Sequence, residues 1–409
     1  MNVCVIGGGP AGVMAAYSAA ARGAKVCIME RNTEVLKKLC LTGNGRCNFS
    51  NADLSVSNYN FDAEHCFAGI LKEYDSDWLE DLFKENGMLS IQRDGLKYPR
   101  SEKAVTVKDT LLKMCKEKNA EILLSAKVVS LEKNETGFTV ALEDGKKMSF
   151  DKVIITTGGK AYPNTGSDGA GYKLARSLGH TVTFTYPYLT RLLTDDKDVL
   201  KLSGVRFKGK VSAKIDTETI DGEFGEIQFT DKGLSGICIY KLSRFLSKPV
   251  EEGKKCSIII DFLPEMSAEE LEKYLKKLLN GESDKAEKAA FSDILTGMLG
   301  EDIAEAVIKR ATADSSEKTD SEKSPAAVIK EIKSFTVSIK EHDTFSNAQV
   351  TGGGVDIKEV DANMESKLCR GLFFAGEVLD VDGTCGGYNL HWAFASGFKA
   401  GESAGGFVD

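Results

Sequence analysis

The chain opens with two short apolar runs separated by an alanine-rich stretch. Val3 to Ile6 is apolar, the alanine-rich stretch extends to about Arg22, and a second apolar run covers Lys25 to Met29. Short continuous apolar runs are typical of strands buried on both faces, and Gly23 breaks the helical stretch. The pattern therefore predicts a strand, a helix and a second, parallel strand.

Helical and strand patterns then alternate through the first half of the chain. Helical periodicity occurs near His65 to Lys72, Ser76 to Asn86 and Val105 to Asn119, whereas Glu121 to Phe150 alternates apolar and polar residues between turn signals. These segments predict three helices and an antiparallel strand meander. The polar stretch from Arg31 to Asn51 is interpreted as a loop.

Two apolar runs that end in glycine lie far apart in the sequence. Val153 to Thr157 precedes Gly158-Gly159, and Gly371 to Gly376 precedes a helical pattern from Tyr388 to Ala400. Such runs are expected in a parallel sheet whose carboxyl ends meet a ligand. Their separation predicts one nucleotide-binding domain that is interrupted by a long insertion.

The segment between those runs has a different character. Residues 190–262 contain short strand patterns, 267–310 contain helical patterns rich in Lys and Glu, and 311–324 contain no large apolar side chain and predict a mobile loop. The predicted domains are a nucleotide-binding domain of residues 1–189 and 346–409, an inserted β-rich substrate domain of 190–265 and 326–345, and a helical subdomain of 266–325.

The first turn carries a dinucleotide-binding fingerprint. Gly7, Gly9 and Gly12 satisfy the spacing G-x-G-x-x-G, and Glu30 follows the last of them by eighteen residues. The glycines permit a tight turn, close approach to a pyrophosphate and close helix–strand packing, and the acid is placed to bind the adenosine ribose. A carboxylate would repel a 2′-phosphate, so an adenine dinucleotide without that phosphate is predicted. A glycine-rich turn without a ligand is the alternative.

Composition narrows the class of protein. A length of 409 residues allows two or three domains, and a net charge of −8 without a dense basic block argues against nucleic acid or an anionic membrane as partner. The ten cysteines include no C-x-x-C pair, so reduced thiols and no metal site are expected. No secretion signal or membrane-spanning run is recognised, so a cytoplasmic location is expected.

Five segments resemble the BaiN-like FAD-dependent oxidoreductases, also called the YhiN or aminoacetone-oxidase family. They are Gly7 to Gly12, Thr42 to Asn48, Thr157 to Gly171, Gly222 to Gly236 and Gly371 to Gly397. The most specific part reads GEVLDVDGTCGGYNL from residue 376 to residue 390. The resemblance implies an α/β fold with a Rossmann-like FAD domain of the glutathione-reductase and fumarate-reductase class, split by an inserted β-barrel-like and helical region.

The resemblance also implies FAD as the cofactor. It implies that Glu377 binds the ribityl hydroxyls and that the backbone of Gly387 to Leu390, at a helix start, faces the pyrimidine edge of the flavin. A positive helix terminus stabilises the negative charge of reduced flavin. The predicted cofactor contacts are Gly7, Gly9, Pro10, Ala11, Gly12, Glu30, Arg31, Lys38, Gly43, Arg46, Cys47, Asn48, Val128, Thr157, Gly158, Gly159, Gly376, Glu377, Asp380, Gly386, Gly387, Tyr388, Asn389 and Leu390.

The loop that reads Thr-Gly-Asn-Gly-Arg-Cys-Asn leaves several roles open. Many family members carry Ser-Gly-Gly-Gly at its start, so the family pattern supports contacts by Gly43 and Arg46 better than by Asn44. Arg46 suits an FAD phosphate or a substrate carboxylate, and a solvated surface arginine is the alternative. Cys47 and Cys385 have no recognisable base nearby and are interpreted as packing residues.

Three residues are candidates for a proton donor. Tyr162 and Tyr388 flank glycine turns that are expected at the flavin ring, and His391 lies one turn beyond Gly387. A structural histidine is the alternative for His391.

Three functions remain open for a small-molecule enzyme of this kind. The first is a reductase in which NAD(P)H reduces FAD and an enone accepts the hydride. Resemblance to the bile-acid members implies a 3-oxo-Δ4 or Δ4,6 steroid-like substrate. The second is an oxidase of a small amine such as aminoacetone. The third is a flavin protein that senses redox state or modifies RNA within a complex.

Overall fold

The computed structural model describes three stretches of the chain: residues 1–279, 291–313 and 325–406. They form two compact units, Met1–Pro187 with Phe345–Asp409 and Tyr188–Thr344. Each unit has its own hydrophobic core. Most of the predicted mobile loop, and residues 280–290 of the predicted helical subdomain, lie outside the described residues.

The elements are named in chain order. The first part contains β1 (Asn2–Ile6), α1 (Pro10–Ala21), β2 (Lys25–Met29), β3 (Ser50–Asn51), α2 (Phe67–Glu73), α3 (Ser76–Glu85), β4 (Ser90–Arg93), β5 (Leu96–Pro99), α4 (Ala104–Glu117), β6 (Glu121–Leu123), β7 (Val128–Lys133), β8 (Phe138–Leu142), β9 (Lys147–Phe150), β10 (Lys152–Ile155), α5 (Ala170–Ser177) and β11 (Tyr186–Tyr188). The middle part contains β12 (Leu192–Leu193), α6 (Lys197–Lys201), β13 (Arg206–Ile215), β14 (Glu218–Ile220), β15 (Phe224–Thr230), β16 (Gly233–Ser235), α7 (Ile237–Glu251), β17 (Cys256–Asp261), α8 (Ala268–Leu279), α9 (Phe291–Leu299), α10 (Glu301–Ala313), α11 (Pro325–Lys333), β18 (Phe335–Ile339) and β19 (Glu341–His342). The last part contains β20 (Val350–Gly352), β21 (Leu372–Phe374) and α12 (Tyr388–Gly405).

A parallel sheet of five strands, in the order β21-β10-β1-β2-β6, forms the centre of the first unit. On β1, Cys4 is paired with Cys27 of β2 and with Val153 of β10. The predicted strand–helix–strand unit is confirmed. So is the prediction that the two distant glycine-ended runs belong to one sheet, because β10 and β21 are neighbours.

Helices α1 and α12 pack closely because small residues line both of them. A methyl group added to Gly397 would lie 2.4 Å from the carbonyl oxygen of Ala11, and one added to Gly401 would lie 2.1 Å from that of Ala15. The spacing of four residues, repeated at Gly405, keeps these glycines on one face of α12. The helix backbones therefore approach to a distance that only glycine allows, and the two ends of the chain form one layer.

Two small antiparallel sheets of three strands each also belong to the first unit. The antiparallel meander predicted over Glu121 to Phe150 is confirmed from β7 to β9 and is wrong at β6, which pairs with β2 in the parallel sheet. The sheet in the order β3-β5-β4 was not predicted. Asp94 and Gly95 link β4 to β5, and both have positive φ values, of 50° and 82°. An Asp-Gly pair with this geometry is a strong hairpin signal, so the sequence did contain the information.

The second unit is built on antiparallel strand pairs in the order β18-β17-β13-β15-β16-β12-β19, with β14 paired to β13. Only Lys340 separates β18 from β19 in the chain, and its N–H donates to the carbonyl oxygen of Leu193 at the end of β12. The two strands therefore form one nearly continuous strand, and the order of pairs closes on itself. This closure is the barrel-like feature that the family resemblance implied.

The prediction of short strands over residues 190–262 is wrong at α6 and at the longer helix α7. The buried residues Cys238, Ile239, Leu242 and Leu246 follow helical spacing and pack on the inserted sheet. The start of α7 contains the β-branched residues Ile237 and Ile239, and its end contains Pro249; such residues are more common in strands and turns than within helices. Pro249 lies only two residues before the end of α7, so the helix is nearly complete before the proline ring interrupts it.

Candidate dinucleotide site

The turn between β1 and α1 leaves open space at one of its glycines. A methyl group on Gly7 would lie 2.7 Å from the carbonyl oxygen of Thr156, and one on Gly12 would lie 1.9 Å from that of Gly7. The packing of the protein itself therefore requires these two glycines. A methyl group on Gly9 would meet no protein atom within 4 Å. Gly9 precedes the first N–H groups of α1, so a phosphate fits there without displacing protein.

Glu30 borders this turn and is 7% exposed. Its Oε2 accepts from the N–H of Gly8, and its Oε1 accepts from the backbone N–H and the side-chain amide of Asn32, all at 2.8 Å. A carboxylate has about four acceptor positions, so these bonds fix its orientation and leave capacity for a ligand hydroxyl. The N–H of Ala126 donates to the backbone oxygen of Glu30, which brings Val128 to the same edge.

Three buried side-chain oxygens in the predicted cofactor segments Thr42 to Asn48 and Thr157 to Gly171 have no hydrogen-bond partner among the described residues. They are Asn48 Oδ1, Thr157 Oγ1 and Ser167 Oγ. Beside them, Arg31 pairs with Asp168. A buried polar atom without a partner costs about 1–3 kcal/mol, so a hydrogen bond from a bound ligand or water to any of these oxygens would be stabilising. The residues present therefore fit a cofactor rich in hydroxyl and amide groups, as FAD is.

Glu377 is held in place by groups from distant parts of the chain. Its Oε2 lies 2.7 Å from Lys38 Nζ, and its Oε1 accepts from the N–H of Thr351 at 2.9 Å. The hydroxyl oxygen of Thr351 accepts in turn from the N–H groups of Lys160 and Ala161, at 2.7 and 3.0 Å. Sequence reasoning did not identify Thr351, because a threonine in a strand gives no sign of its distant partners.

Glycines allow these segments to come together. A methyl group on Gly159 would lie 3.0 Å from Glu377 Oε1, and one on Gly376 would lie 2.8 Å from Cβ of Ala11. Gly158 has φ +70° and approaches Ser167 in the same way. The carboxyl ends of β10 and β21 therefore lie close to each other and to the start of α1.

The start of α12 forms a second helix terminus in the same unit. Gly387, its N-cap, has φ +93°, and a methyl group there would lie 2.5 Å from the carbonyl oxygen of Ser50 and 2.9 Å from Asn48 Oδ1. Asn51 Nδ2 donates to the carbonyl oxygen of Gly386 at 2.9 Å. The unpartnered oxygen of Asn48 therefore lies beside the helix start that was predicted to face the flavin ring.

Two residues that were predicted to contact the cofactor, Asn389 and Asp380, form hydrogen bonds within the protein through their side chains. Asn389 accepts from the N–H of Gly383 at 2.8 Å and donates to its carbonyl oxygen at 2.7 Å. Asp380 Oδ2 accepts from Thr183 at 2.8 Å, and Oδ1 accepts from Asn60 at 3.2 Å. Both side chains hold the loop before α12. Asp380 also uses its backbone, because its N–H donates to the carbonyl oxygen of Val355 and its carbonyl oxygen accepts from Asn60. Asn389 lies in the first turn of α12, where its backbone N–H is available to a cofactor.

His391 is fully buried and both ring nitrogens are hydrogen bonded. Nε2 lies 2.8 Å from the carbonyl oxygen of Tyr74, and Nδ1 lies 2.9 Å from Ser50 Oγ. A carbonyl oxygen only accepts, so we assign the proton to Nε2 and let Nδ1 accept from the serine. Burial lowers the pKa of His391 to about 4. This environment favours the structural alternative for His391 over proton donation.

The two candidate tyrosines differ in their surroundings. Tyr388 is 7% exposed, and its ring covers Gly386, where an added methyl group would lie 2.9 Å from Cε2. Tyr162 is half-buried, has φ +56° and donates its backbone N–H to Phe345. Within the described residues the Tyr162 hydroxyl has no hydrogen-bond partner, which leaves it open to a ligand.

The stretch interpreted as a loop contains a 3₁₀ helix, Leu39–Gly45, with non-helical residues inside it at Thr42, Gly43 and Asn44. Cys47 follows with φ +60° and is fully buried. Burial raises the pKa of the Cys47 thiol to about 12, so the side chain stays a neutral thiol. This environment agrees with its interpretation as a packing residue.

Membrane-spanning helices and clusters of metal ligands are both absent from the described part of the chain. No helix in it is both long and apolar enough to cross a bilayer. No group of three or more His, Cys, Asp or Glu residues in it could hold a metal ion.

Comparison with known proteins places the chain among Rossmann-type proteins. The family model "HI0933-like protein Rossmann domain" matches residues 1–403. The 3-dehydro-bile acid delta(4,6)-reductase of Clostridium scindens is 36% identical, over 98% of this chain and 98% of that protein. The ribosomal RNA dihydrouridine synthase of Escherichia coli K12 is 28% identical, over 98% of this chain and 97% of that protein.

Solved structures with similar folds have lower identity. A flavocytochrome c3 fumarate reductase is 17% identical with a TM-score of 0.48, over 99% of this chain and 78% of that chain. The 3-ketosteroid-delta4-(5alpha)-dehydrogenase of Rhodococcus jostii RHA1 is 17% identical with a TM-score of 0.47, over 99% and 96%.

Proposed function

The chain belongs to the HI0933-like protein family and is an FAD-dependent oxidoreductase, and from that premise we propose that it reduces a carbon–carbon double bond conjugated to a carbonyl, with NAD(P)H as reductant. The proposed substrate class is a 3-oxo-Δ4 or Δ4,6 steroid acid. When bound, FAD supplies the hydride chemistry at its N5 atom, between the nicotinamide and the substrate carbon β to the carbonyl.

The proposal assigns the parts of the cofactor to residues of the first unit. The open space at Gly9 and the start of α1 hold the pyrophosphate, and Glu30 holds the adenosine ribose. Glu377, oriented by Lys38 and Thr351, holds the ribityl hydroxyls. The positive start of α12 stabilises negative charge on the pyrimidine side of the ring.

The observation that carries the substrate class is the similarity to the Clostridium scindens reductase, which extends over 98% of both chains. That protein's name describes reduction at positions 4 and 6 of a 3-dehydro-bile acid, where the double bonds are conjugated to the 3-oxo group. An electron-poor alkene of this kind needs only positioning, a hydride source and one proton, so the absence of a metal cluster from the described residues is no obstacle.

Reduction of uridine in ribosomal RNA is a second candidate. The relatives from Escherichia coli and Haemophilus influenzae that are named ribosomal RNA dihydrouridine synthases are 28% and 26% identical to this chain. The C5–C6 bond of uracil is also conjugated to a carbonyl, so both candidates use the same chemistry. The net charge of −8 opposes binding to a polyanion, which is why the steroid-like substrate is preferred.

Anaerobic stopped-flow spectroscopy tests the proposal. Purified holoenzyme is mixed with NADH or NADPH, and bleaching of the flavin absorbance identifies the reductant. The reduced enzyme is then mixed with a 3-oxo-Δ4 steroid acid, with the matched 3-hydroxy-Δ5 acid whose double bond is not conjugated, and with ribosomal RNA lacking the modification.

Reoxidation by the conjugated steroid and not by its isolated-alkene control supports the proposal. Reoxidation by RNA alone would favour the second candidate. If neither nicotinamide bleaches the flavin while aminoacetone does, with release of peroxide in air, the enzyme is an amine oxidase and the reductase proposal fails.

A further inference from the structure

Two hydrogen-bond donors lie side by side at the edge of the 3₁₀ segment Leu39–Gly45. Gly43 lies between them: a methyl group added there would be 3.8 Å from Cε1 of Tyr98 and 3.9 Å from Cβ of Arg46. Tyr98 comes from β5, in the small sheet that was not predicted, and Arg46 comes from the loop that precedes Asn48. The missing side chain at Gly43 keeps the space between the two donors open.

Neither donor has a hydrogen-bond or ion-pair partner among the residues that the structure describes. Arg46 is exposed, and the described residues provide no carboxylate partner for its guanidinium. Tyr98 is half-buried, and no hydrogen-bond partner for its hydroxyl occurs within the described ranges. By contrast, Arg93 on the neighbouring strand pairs with Glu102. A half-buried phenol beside a free guanidinium is a suitable pair of donors for one oxygen atom that carries negative charge.

The donor pair is connected to the start of α12. β5 pairs with β3, where Ser50 is opposite Lys97 and Asn51 is opposite Leu96. Asn51 in turn bonds Gly386, beside the helix start that is assigned to the flavin ring. The added methyl group on Gly43 would also lie 3.2 Å from the backbone nitrogen of Asn48. The two donors thus border the segments that are assigned to the ring and not those assigned to the adenosine.

We propose that the guanidinium of Arg46 and the hydroxyl of Tyr98 together bind the carbonyl oxygen of the conjugated substrate. The inference rests on the proposed function, because it concerns the same site and names the residues that recognise the carbonyl. Negative charge on that oxygen increases when the double bond is reduced, so two donors aimed at it favour the reaction as well as binding.

The electrostatic surroundings keep Tyr98 a neutral donor. Burial raises the pKa of Tyr98, and the charges of Cys385 and Glu102 act in the same direction, while Arg46 and Arg93 lower it. The net direction is upward, so the hydroxyl retains its proton throughout the neutral range. A phenol in this state donates to an oxygen without itself carrying a charge.

Equilibrium binding to the oxidised holoenzyme tests this inference without turnover, because no nicotinamide is present. The ligands are a 3-oxo-Δ4 steroid acid and the matched 3-hydroxy steroid acid, which keeps the carboxylate and lacks the carbonyl. Dissociation constants are measured by titration calorimetry and by perturbation of the flavin spectrum. The variants are Tyr98→Phe, Arg46→Gln and, as an exposed arginine beyond the same hairpin, the control Arg100→Gln.

We expect Tyr98→Phe and Arg46→Gln each to weaken binding of the 3-oxo ligand about tenfold, the usual effect of losing one such hydrogen bond. Binding of the 3-hydroxy ligand should change less than about twofold, and Arg100→Gln should bind both ligands as the parent does. The affinity for FAD should be unchanged in Tyr98→Phe. A purely structural role would weaken both ligands equally.

The outcomes separate this inference from the proposed function. If the parent protein binds neither steroid, both fail together. If the parent binds and reduces the 3-oxo steroid but Tyr98→Phe and Arg46→Gln bind both ligands as the parent does, only the inference fails. If Arg46→Gln loses FAD rather than steroid, the arginine belongs to the cofactor and the inference is overturned.

Discussion

Gly9 and Gly12 should respond differently to the same small substitution, although they lie one helical turn apart. An alanine at residue 9 has room, because its methyl group would meet no protein atom within 4 Å and Gly9 already has φ −79°. An alanine at residue 12 would place its methyl group 1.9 Å from the carbonyl oxygen of Gly7. Gly9→Ala therefore affects space reserved for a ligand, whereas Gly12→Ala affects the packing of β1 against α1.

The magnitudes follow from these distances. Gly9→Ala should change the free energy of unfolding of the apoprotein by less than about 1 kcal/mol, because the poorer N-cap and the stiffer unfolded chain act in opposite directions. It should weaken FAD binding at least tenfold, or about 1.4 kcal/mol, since the methyl group occupies the path of the pyrophosphate. Gly12→Ala forces a backbone shift that should cost about 1–3 kcal/mol of stability or more.

Urea unfolding of the apoproteins and FAD titration followed by flavin fluorescence measure the two quantities. Gly69→Ala is the matched control, because it lies in α2 and its methyl group also meets nothing within 4 Å. It should raise helix stability by up to about 1 kcal/mol and leave FAD binding unchanged. If Gly9→Ala binds FAD as tightly as the parent, the phosphate does not lie at the start of α1 and the assignment of the site is wrong.

Three further predictions address other parts of the first unit. Because burial lowers the pKa of His391 to about 4, its contribution to stability is fully present above pH 6.5 and should be lost as the pH falls from 6.5 to 4, by about 3 kcal/mol in all. Chemical unfolding at several pH values should reveal this loss, and His391→Gln should reduce it; an unchanged slope would contradict the burial argument. Lys38→Met and Glu377→Gln should show a coupling of about 0.5 kcal/mol or more in a double-mutant cycle on FAD affinity, whereas strictly additive effects would mean that the 2.7 Å ion pair does not orient Glu377. Gly397→Ala should destabilise the protein by at least about 1–3 kcal/mol because its methyl group would lie 2.4 Å from the backbone of α1, and an unchanged melting temperature would argue against the close packing of the two helices.

The sequence predicts site residues whose roles depend on their neighbours in the chain. It does not predict site residues whose roles depend on partners far away in the chain. Gly7, Gly9 and Gly12 are identified by spacing because one turn determines their roles. Thr351 acts through bonds to Lys160, Ala161 and Glu377, and no local pattern indicates such partners.

Local secondary-structure preference favoured the wrong element at α7, and a local hairpin signal was overlooked at Asp94-Gly95. The β-branched start of α7 favoured a strand, but burial of Leu242 and Leu246 on the inserted sheet stabilises a helix. The Asp94-Gly95 turn was a readable hairpin signal, and recognising it would have brought Tyr98 into the list of candidates. The closure of the barrel at Lys340 depends on pairing between strands far apart in the chain, which periodicity does not report.

During synthesis on the ribosome, α1 is complete long before the glycines that receive it exist. Ala11 and Ala15 cannot pack against Gly397 and Gly401 until those glycines have been synthesised, and β10 cannot pair with β21 until β21 has been synthesised. The strands and helices of the second unit all lie within Tyr188–Thr344, so their partners are available earlier. The unit that carries the cofactor segments is therefore expected to mature last, and newly made chains would acquire FAD only once α12 has been synthesised and can pack on α1.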